Sequence, residues 1–129
     1  MHQIEIVTAV IRDAQGRWLL VRKKGSKIFM KPGGKREPGE DDLTALAREI
    51  REELACELSE PVLLGAFEAP AANEPNTLVR SVVYLAKIAG EPVAQAEIEE
   101  ALWIDPDRSE GRLLAKLLVD QVLPAVKAL

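Results

Sequence analysis

The chain has 129 residues, of which 47% are hydrophobic and 29% charged, with a formal net charge of −4. That length supports one hydrophobic core and is short for two, and the composition is ordinary for a soluble globular protein, with no internal repeat or low-complexity segment. No apolar run approaches a bilayer span, the start MHQIEIV lacks a signal-peptide pattern, and the single cysteine, Cys56, allows no internal disulfide and fits a reducing cytoplasm.

In chain order, residues 4–11 are β-branched and apolar, and Asp13-Ala14-Gln15-Gly16 turns into a second strand at 18–21. Residues 22–36 then carry seven basic side chains, Arg22, Lys23, Lys24, Lys27, Lys31, Lys35 and Arg36, and no acid. The remaining ten basic and twenty-one acidic residues leave the rest of the chain at −11. A cationic stretch in an acidic chain suits a phosphate chain. The acidic remainder argues against extended nucleic-acid binding.

Pro32-Gly33-Gly34 and Pro38-Gly39 read as two turns of a compact loop over 32–39. A helix follows from about Asp42, with Leu43, Leu46, Ala47, Ile50 and Leu54 forming one apolar stripe. Glu40, Asp41 and Asp42 suit the positive end of its dipole. Glu49, Glu52 and Glu53 share a face beside the stripe, and Arg48 lies four residues before Glu52, within pairing reach. Carboxylates clustered in this way repel one another unless a cation lies between them. Beside a glycine loop they suit Mg²⁺, which binds few carboxylates, keeps water and shares phosphate oxygens.

Strand patterns return at 61–67 and 78–88, divided by a loop over 69–76, and a short strand at 101–104 follows. Residues 113–129 are apolar at helical spacing, with Pro124 set to kink or restart the helix. The order predicts an α/β (α+β) chain, a mixed β-sheet sandwiched between helices, in one domain over residues 1–129. Glu97, Glu99 and Glu100 form a second acidic cluster ahead of the last strand. Cys56 and Trp103 read as packing residues. His2, the one histidine, reads as too near the terminus for catalysis. Phe29, Phe67 and Tyr84 are the aromatic candidates for stacking on a base.

The spacing Gly34, five residues, Glu40, seven residues, then Arg48-Glu49-Ile50-x-Glu52-Glu53 resembles the signature box of the Nudix hydrolases. Seven of its nine specified positions match. Ala55 stands where the box has glycine and Cys56 where it has an aliphatic, which predicts a different helix exit, such as one more turn. The resemblance implies a Nudix fold over essentially the whole chain. It also implies Mg²⁺, or Mn²⁺ in its place, held by Glu49, Glu52, Glu53, the Gly33 carbonyl and Glu100. Arg48 would orient the glutamates. A further glutamate, as metal ligand or base, would come from the 97–100 loop, with Glu97 and Glu100 leading, and the general base from either the helix or that loop. Lys23, Lys35, Arg22, Gly34 and Phe29 would contact a nucleotide substrate.

The implied reaction is hydrolysis of a phosphoanhydride bond, first of all in a nucleoside or deoxynucleoside triphosphate. The loop wording PGGKxExGE and the start at the first strand resemble the compact triphosphate pyrophosphatases. ADP-ribose, nucleotide-sugar or dinucleoside polyphosphate substrates come second and capped RNA ends third. A non-catalytic nucleotide-sensing module is the alternative from another class, and an acidic domain with an accidental motif is the last. No membrane partner is expected, and a monomer or homodimer fits.

Overall fold

The structure, a computed structural model, describes residues 2–71 and 74–129. Met1 of the start segment and Ala72 and Asn73 of the 69–76 loop lie outside the described residues. Strand β1 (His2–Ile11) is buried on both faces from Val7 onward. Val7, Ala9 and Ile11 enter one core cluster and Val10 the other. Such a strand reads as a continuous apolar run because neither face meets water.

Two four-stranded sheets form, where the sequence predicted one. In the first, β4 (Gly33–Gly34), β1, β6 (Thr77–Ala89) and β5 (Glu57–Pro70) lie side by side. Its β1–β6 pair is parallel, and β1–β4 and β5–β6 are antiparallel. In the second the order is β7 (Ile98–Ile104), β2 (Trp18–Lys23), β3 (Ile28–Met30) and β8 (Leu113–Leu114). Helix α1 (Asp42–Leu54) packs with one cluster, built on β1 and β2. The C-terminal helical segment packs with the other, so the mixed sheets lie between helices.

Three predicted boundaries move. Leu113 and Leu114 pair with Ile28 and Phe29 as a strand instead of starting the last helix. That helix passes through a π-helical turn at Leu118–Val122 before α2 (Leu123–Lys127), which carries Pro124 in its first turn. Proline has no N–H to donate, and the Leu123 N–H reaches Leu118 O, the wider π spacing. Strand β7 begins at Ile98, so Glu99 and Glu100 lie on a strand rather than in a loop. No helix is long and apolar enough to cross a membrane among the described residues.

Helix α1 starts where Asp41 Oδ1 accepts the Thr44 N–H at 2.8 Å, an N-cap. Its stripe is rotated from the predicted one: Leu43 is 40% exposed, and Ala45 is fully buried in its place. Leu46, Ile50 and Leu54 are fully buried, each stabilising the fold by about 1.5–3 kcal/mol. No extra turn follows. Ala55 takes the left-handed conformation itself, at φ 56° and ψ 32°, and its N–H bonds Arg51 O at 3.0 Å. The chain must reverse there because Cys56 turns into the core and β5 begins at Glu57.

An L-residue in that conformation costs about 1–2 kcal/mol, partly offset by its stiffer unfolded chain. Ala55→Gly is therefore expected to stabilise the protein by about 0.5–1 kcal/mol and raise Tm by roughly 2–4 °C in a thermal melt.

Candidate active site

The two glycines of β4 are required for different reasons. Gly33 pairs with Thr8 at φ 145°, and a Cβ there would lie 2.1 Å from the Val7 carbonyl oxygen. Its bareness lets the loop lie against β1, and its N–H then donates to Glu53 Oε1 at 3.1 Å. A Cβ on Gly34 would lie 2.6 Å from the Glu49 carboxyl carbon, so the loop and α1 meet there with no room for a side chain. The geometry thus gives Gly34 a spacing role and makes the Gly33 N–H an anchor that spacing rules alone did not single out.

Arg48 joins loop and helix. Its Nε and Nη2 donate to Glu40 Oε2 and Oε1 at 2.8 and 2.9 Å, and Nη2 also donates to the Lys35 carbonyl at 3.0 Å. Its Nη1 reaches Glu49 at 3.0 Å and Glu52 at 3.3 Å. Hydrogen bonding from Arg48, then from the Glu37 N–H, holds the Glu40 carboxyl down to about 2. These hydrogen bonds also raise the Arg48 pKa further above its ordinary value.

Glu53 is 8% exposed. Burial pushes its carboxyl up to about 8, against the Gly33 N–H, and the charges of Glu49 and Glu97 add to the rise while Lys23 opposes it. Glu49 is also raised by burial, with Arg48 opposing. Among the described residues no three His, Cys, Asp or Glu side chains converge tightly enough to enclose an ion. The reason is local: Arg48 draws Glu49 and Glu52, and Gly33 holds Glu53. A buried carboxylate flanked by like charges fits a hard divalent cation that completes its shell with water and phosphate oxygens.

The segment after β6 docks on the end of α1, with Val93 and Gln95 N–H groups donating to Leu54 O and Glu53 O, both at 2.9 Å. That docking carries Glu97 to the Glu53 end of the helix, where its charge is felt. Glu100 is differently placed. It faces Arg22 across β7–β2, and Arg22 Nε and Nη2 both donate to its Oε1, at 3.0 and 2.8 Å. The ladder shifts there, from Arg22↔Glu100 to Lys23↔Ile98, so Glu99 is left unpaired and exposed.

Lys23 and Lys35 are exposed beside this cluster. Phe29 is 4% exposed within the second core cluster. It is a packing residue, which corrects its assignment as a substrate contact. Trp103 and Tyr84 pack against the first cluster and Phe67 against the second. Two open clefts of ≈ 550 and ≈ 540 Å³ flank the Asp13–Arg17 turn, but neither is lined by a residue of the glycine loop or of α1.

A NUDIX domain family model matches residues 2–124, and the chain belongs to the Nudix family. It is a Nudix hydrolase, an enzyme whose substrates are of nucleotide type. A MutT-like protein of Streptomyces ambofaciens is 26% identical over 113 residues, 88% of this chain and 70% of the relative. The crystal structure of a MutT NUDIX hydrolase from Burkholderia pseudomallei is 26% identical, with TM-score 0.77 and 100% of both chains covered. An ADP-ribose pyrophosphatase from Streptococcus suis shares the fold alone, at 19% identity and TM-score 0.72, over 96% of this chain and 90% of that one.

The Glu53 shift has a consequence for the metal-free protein. Between the ordinary value of 4.5 and about 8, the folded chain holds a proton on Glu53 that the unfolded chain has released. Stability therefore falls as pH rises through that window. In chelator, Tm is expected to drop between about pH 5 and about pH 8, and the drop should shrink in Glu53→Gln.

Proposed function

We propose that this enzyme hydrolyses a phosphoanhydride bond of a nucleoside or deoxynucleoside triphosphate with Mg²⁺, releasing the monophosphate and pyrophosphate. Mn²⁺ would serve in its place. The observation that carries the reading is Glu53, a buried carboxylate anchored by the Gly33 N–H beside Glu49 and Glu97. Lysines 23, 24, 27 and 35 add support, because the lysines in ion pairs among the described residues are Lys87, Lys116 and Lys127. That leaves the basic stretch with cations free to meet phosphates.

Glu49, Glu52 and Glu53, with the Gly33 carbonyl, would hold the metal. When bound, the ion neutralises the diphosphate, lowers the pKa of a coordinated water and stabilises charge on the leaving oxygen. Arg48 holds Glu49 and Glu52 on one side of the helix and ties them to Glu40. Lys23 and Lys35 orient the phosphate chain. Glu97 is the better candidate for the further carboxylate, because Arg22 already neutralises Glu100. As general base, Glu97 takes the proton of the attacking water as the new O–P bond forms and the anhydride P–O bond breaks.

The test is product release with Mg²⁺ from a panel of nucleoside triphosphates, ADP-ribose, dinucleoside polyphosphates and capped RNA. Triphosphates are expected to turn over best, and Glu53→Gln to lose about 100-fold or more. Tight binding with no turnover of any substrate would sink the reading in favour of a sensor.

The two acidic candidates separate by kinetics. Glu97→Gln is expected to lower kcat by about 100-fold with little change in KM. Glu100→Gln, which removes a part-exposed ion pair, should lower it by about fivefold or less. Equal losses in both would mean that Glu97 is not the base.

A further inference from the structure

Ile98 enters the first core cluster and Ala101 packs against it, although the two are three positions apart on β7. A regular strand puts residues at that spacing on opposite faces, so one residue must be extruded between them. The ladder shows which one. Arg22 faces Glu100, Lys23 faces Ile98, and Glu99 is the extra residue, turned out to solvent. Burial of the Ile98 side chain holds one side of this bulge.

Arg22 holds the other side. Leu20 lies in the second cluster and Leu102 packs against it, so alternation places Arg22 and Glu100 on that face too. Arg22 Nε and Nη2 both donate to Glu100 Oε1, at 3.0 and 2.8 Å, and Nη1 donates to Ser26 O at 3.0 Å. All three nitrogens are therefore turned to the protein and not to a phosphate. Ser26 is fixed further by its N–H, which bonds Lys23 O at 3.0 Å, and by its Oγ, which accepts the Ile28 N–H at 3.1 Å. One guanidinium thus ties β7 to the segment 24–27 between β2 and β3, across the bulge. The planar fork has fixed donor directions that a lysine ammonium cannot reproduce.

What the bulge delivers lies on the α1 side. Lys23 follows Arg22 and shares the face of Leu19 and Val21, both in the first cluster. Just beyond the bulge the Lys24 N–H donates to Glu97 O at 2.9 Å, which seats Glu97 against the end of β2. The charges of Lys23 and Glu97 are both felt at Glu53. We propose that Arg22 is a positioning residue, which locks the bulge at Glu99 and so sets Lys23 and Glu97 together at the Glu53 end of the site. This rests on the reading above, in which Lys23 orients the phosphate chain and Glu97 takes the proton. Glu100→Gln still offers Arg22 an amide oxygen, so its small effect on kcat is consistent with the lock.

The test compares wild type, Arg22→Met and Arg22→Lys, with Arg22→Met also combined with Lys23→Met or Glu97→Gln. Methionine keeps an apolar stem, and lysine keeps the charge without the fork. Amide hydrogen exchange is read at Lys24, with Ala9, whose N–H bonds Pro32 O, as the control in the other sheet. Both Arg22 variants are expected to speed exchange at Lys24 by about 100-fold or more while Ala9 stays protected. With Mg²⁺ and nucleoside triphosphates, Arg22→Met should raise KM and lower kcat, each by about tenfold. The rise in KM should shrink to about twofold or less in the Lys23→Met background, and the loss of kcat to about twofold or less in the Glu97→Gln background. Undiminished losses in both backgrounds, full recovery in Arg22→Lys, unchanged exchange at Lys24, or an equal loss of protection at Ala9 overturns the proposal. If no protein turns over any substrate, faster exchange at Lys24 and weaker triphosphate binding by calorimetry, the latter absent in the Lys23→Met background, keep it and overturn the hydrolase reading. Turnover by wild type with undiminished losses in both backgrounds does the reverse.

Discussion

The carboxylate end of this molecule depends on one close approach, that of Gly33 to the Val7 carbonyl. With a Cβ at residue 33 only 2.1 Å from that oxygen, any other residue would push the loop off β1. The Gly33 N–H would then no longer point at Glu53, and that carboxylate would be buried with no donor at all. Gly34 extends the same constraint to the other side, where it lets the Glu49 carboxyl approach the loop backbone. The loop is thus clamped between a strand and a helix by the absence of two side chains, and α1 is positioned by what it touches there as much as by its apolar stripe.

Charge is arranged around that clamp in two tiers. Arg48 satisfies Glu40 with a two-pronged contact and steadies Glu49 and Glu52, of which Glu52 is exposed enough that its pair alone would contribute little. Glu53 receives only a backbone N–H, and its charge is opposed by burial and by Glu49 and Glu97. The tier with a full complement of donors orders the loop. The tier without one is the group that the proposed cation would complete, so the two sets of carboxylates differ in what surrounds them and not in residue type.

The sequence made the carboxylate row legible because helical spacing alone puts residues 49, 52 and 53 on one face. The long strands were legible for the same kind of reason, since a β-branched apolar run needs no partner to be seen. What escaped depends on distant contacts. The strands at 28–30, 33–34 and 113–114 are too short to show a period, and they exist because neighbours present an open edge. Glu100 could not be told from Glu97 until the β2–β7 register set Arg22 opposite one of them. Ala55 misled because a left-handed cap favours glycine only by a small energy, which the buried Leu54 and Cys56 on either side outweigh.

The carboxyl group of Glu53 is the point at which the bare fold is least complete. Ionising it weakens the protein, because a desolvated carboxylate with one backbone donor and like charges nearby is unfavourable in an apolar setting. The folded chain answers by keeping the proton, which the ordinary carboxyl range would not allow. A bound cation, as proposed, would answer it differently, by making the ionised form the favoured one, so that the same burial that weakens the bare fold would strengthen the hold on the ion.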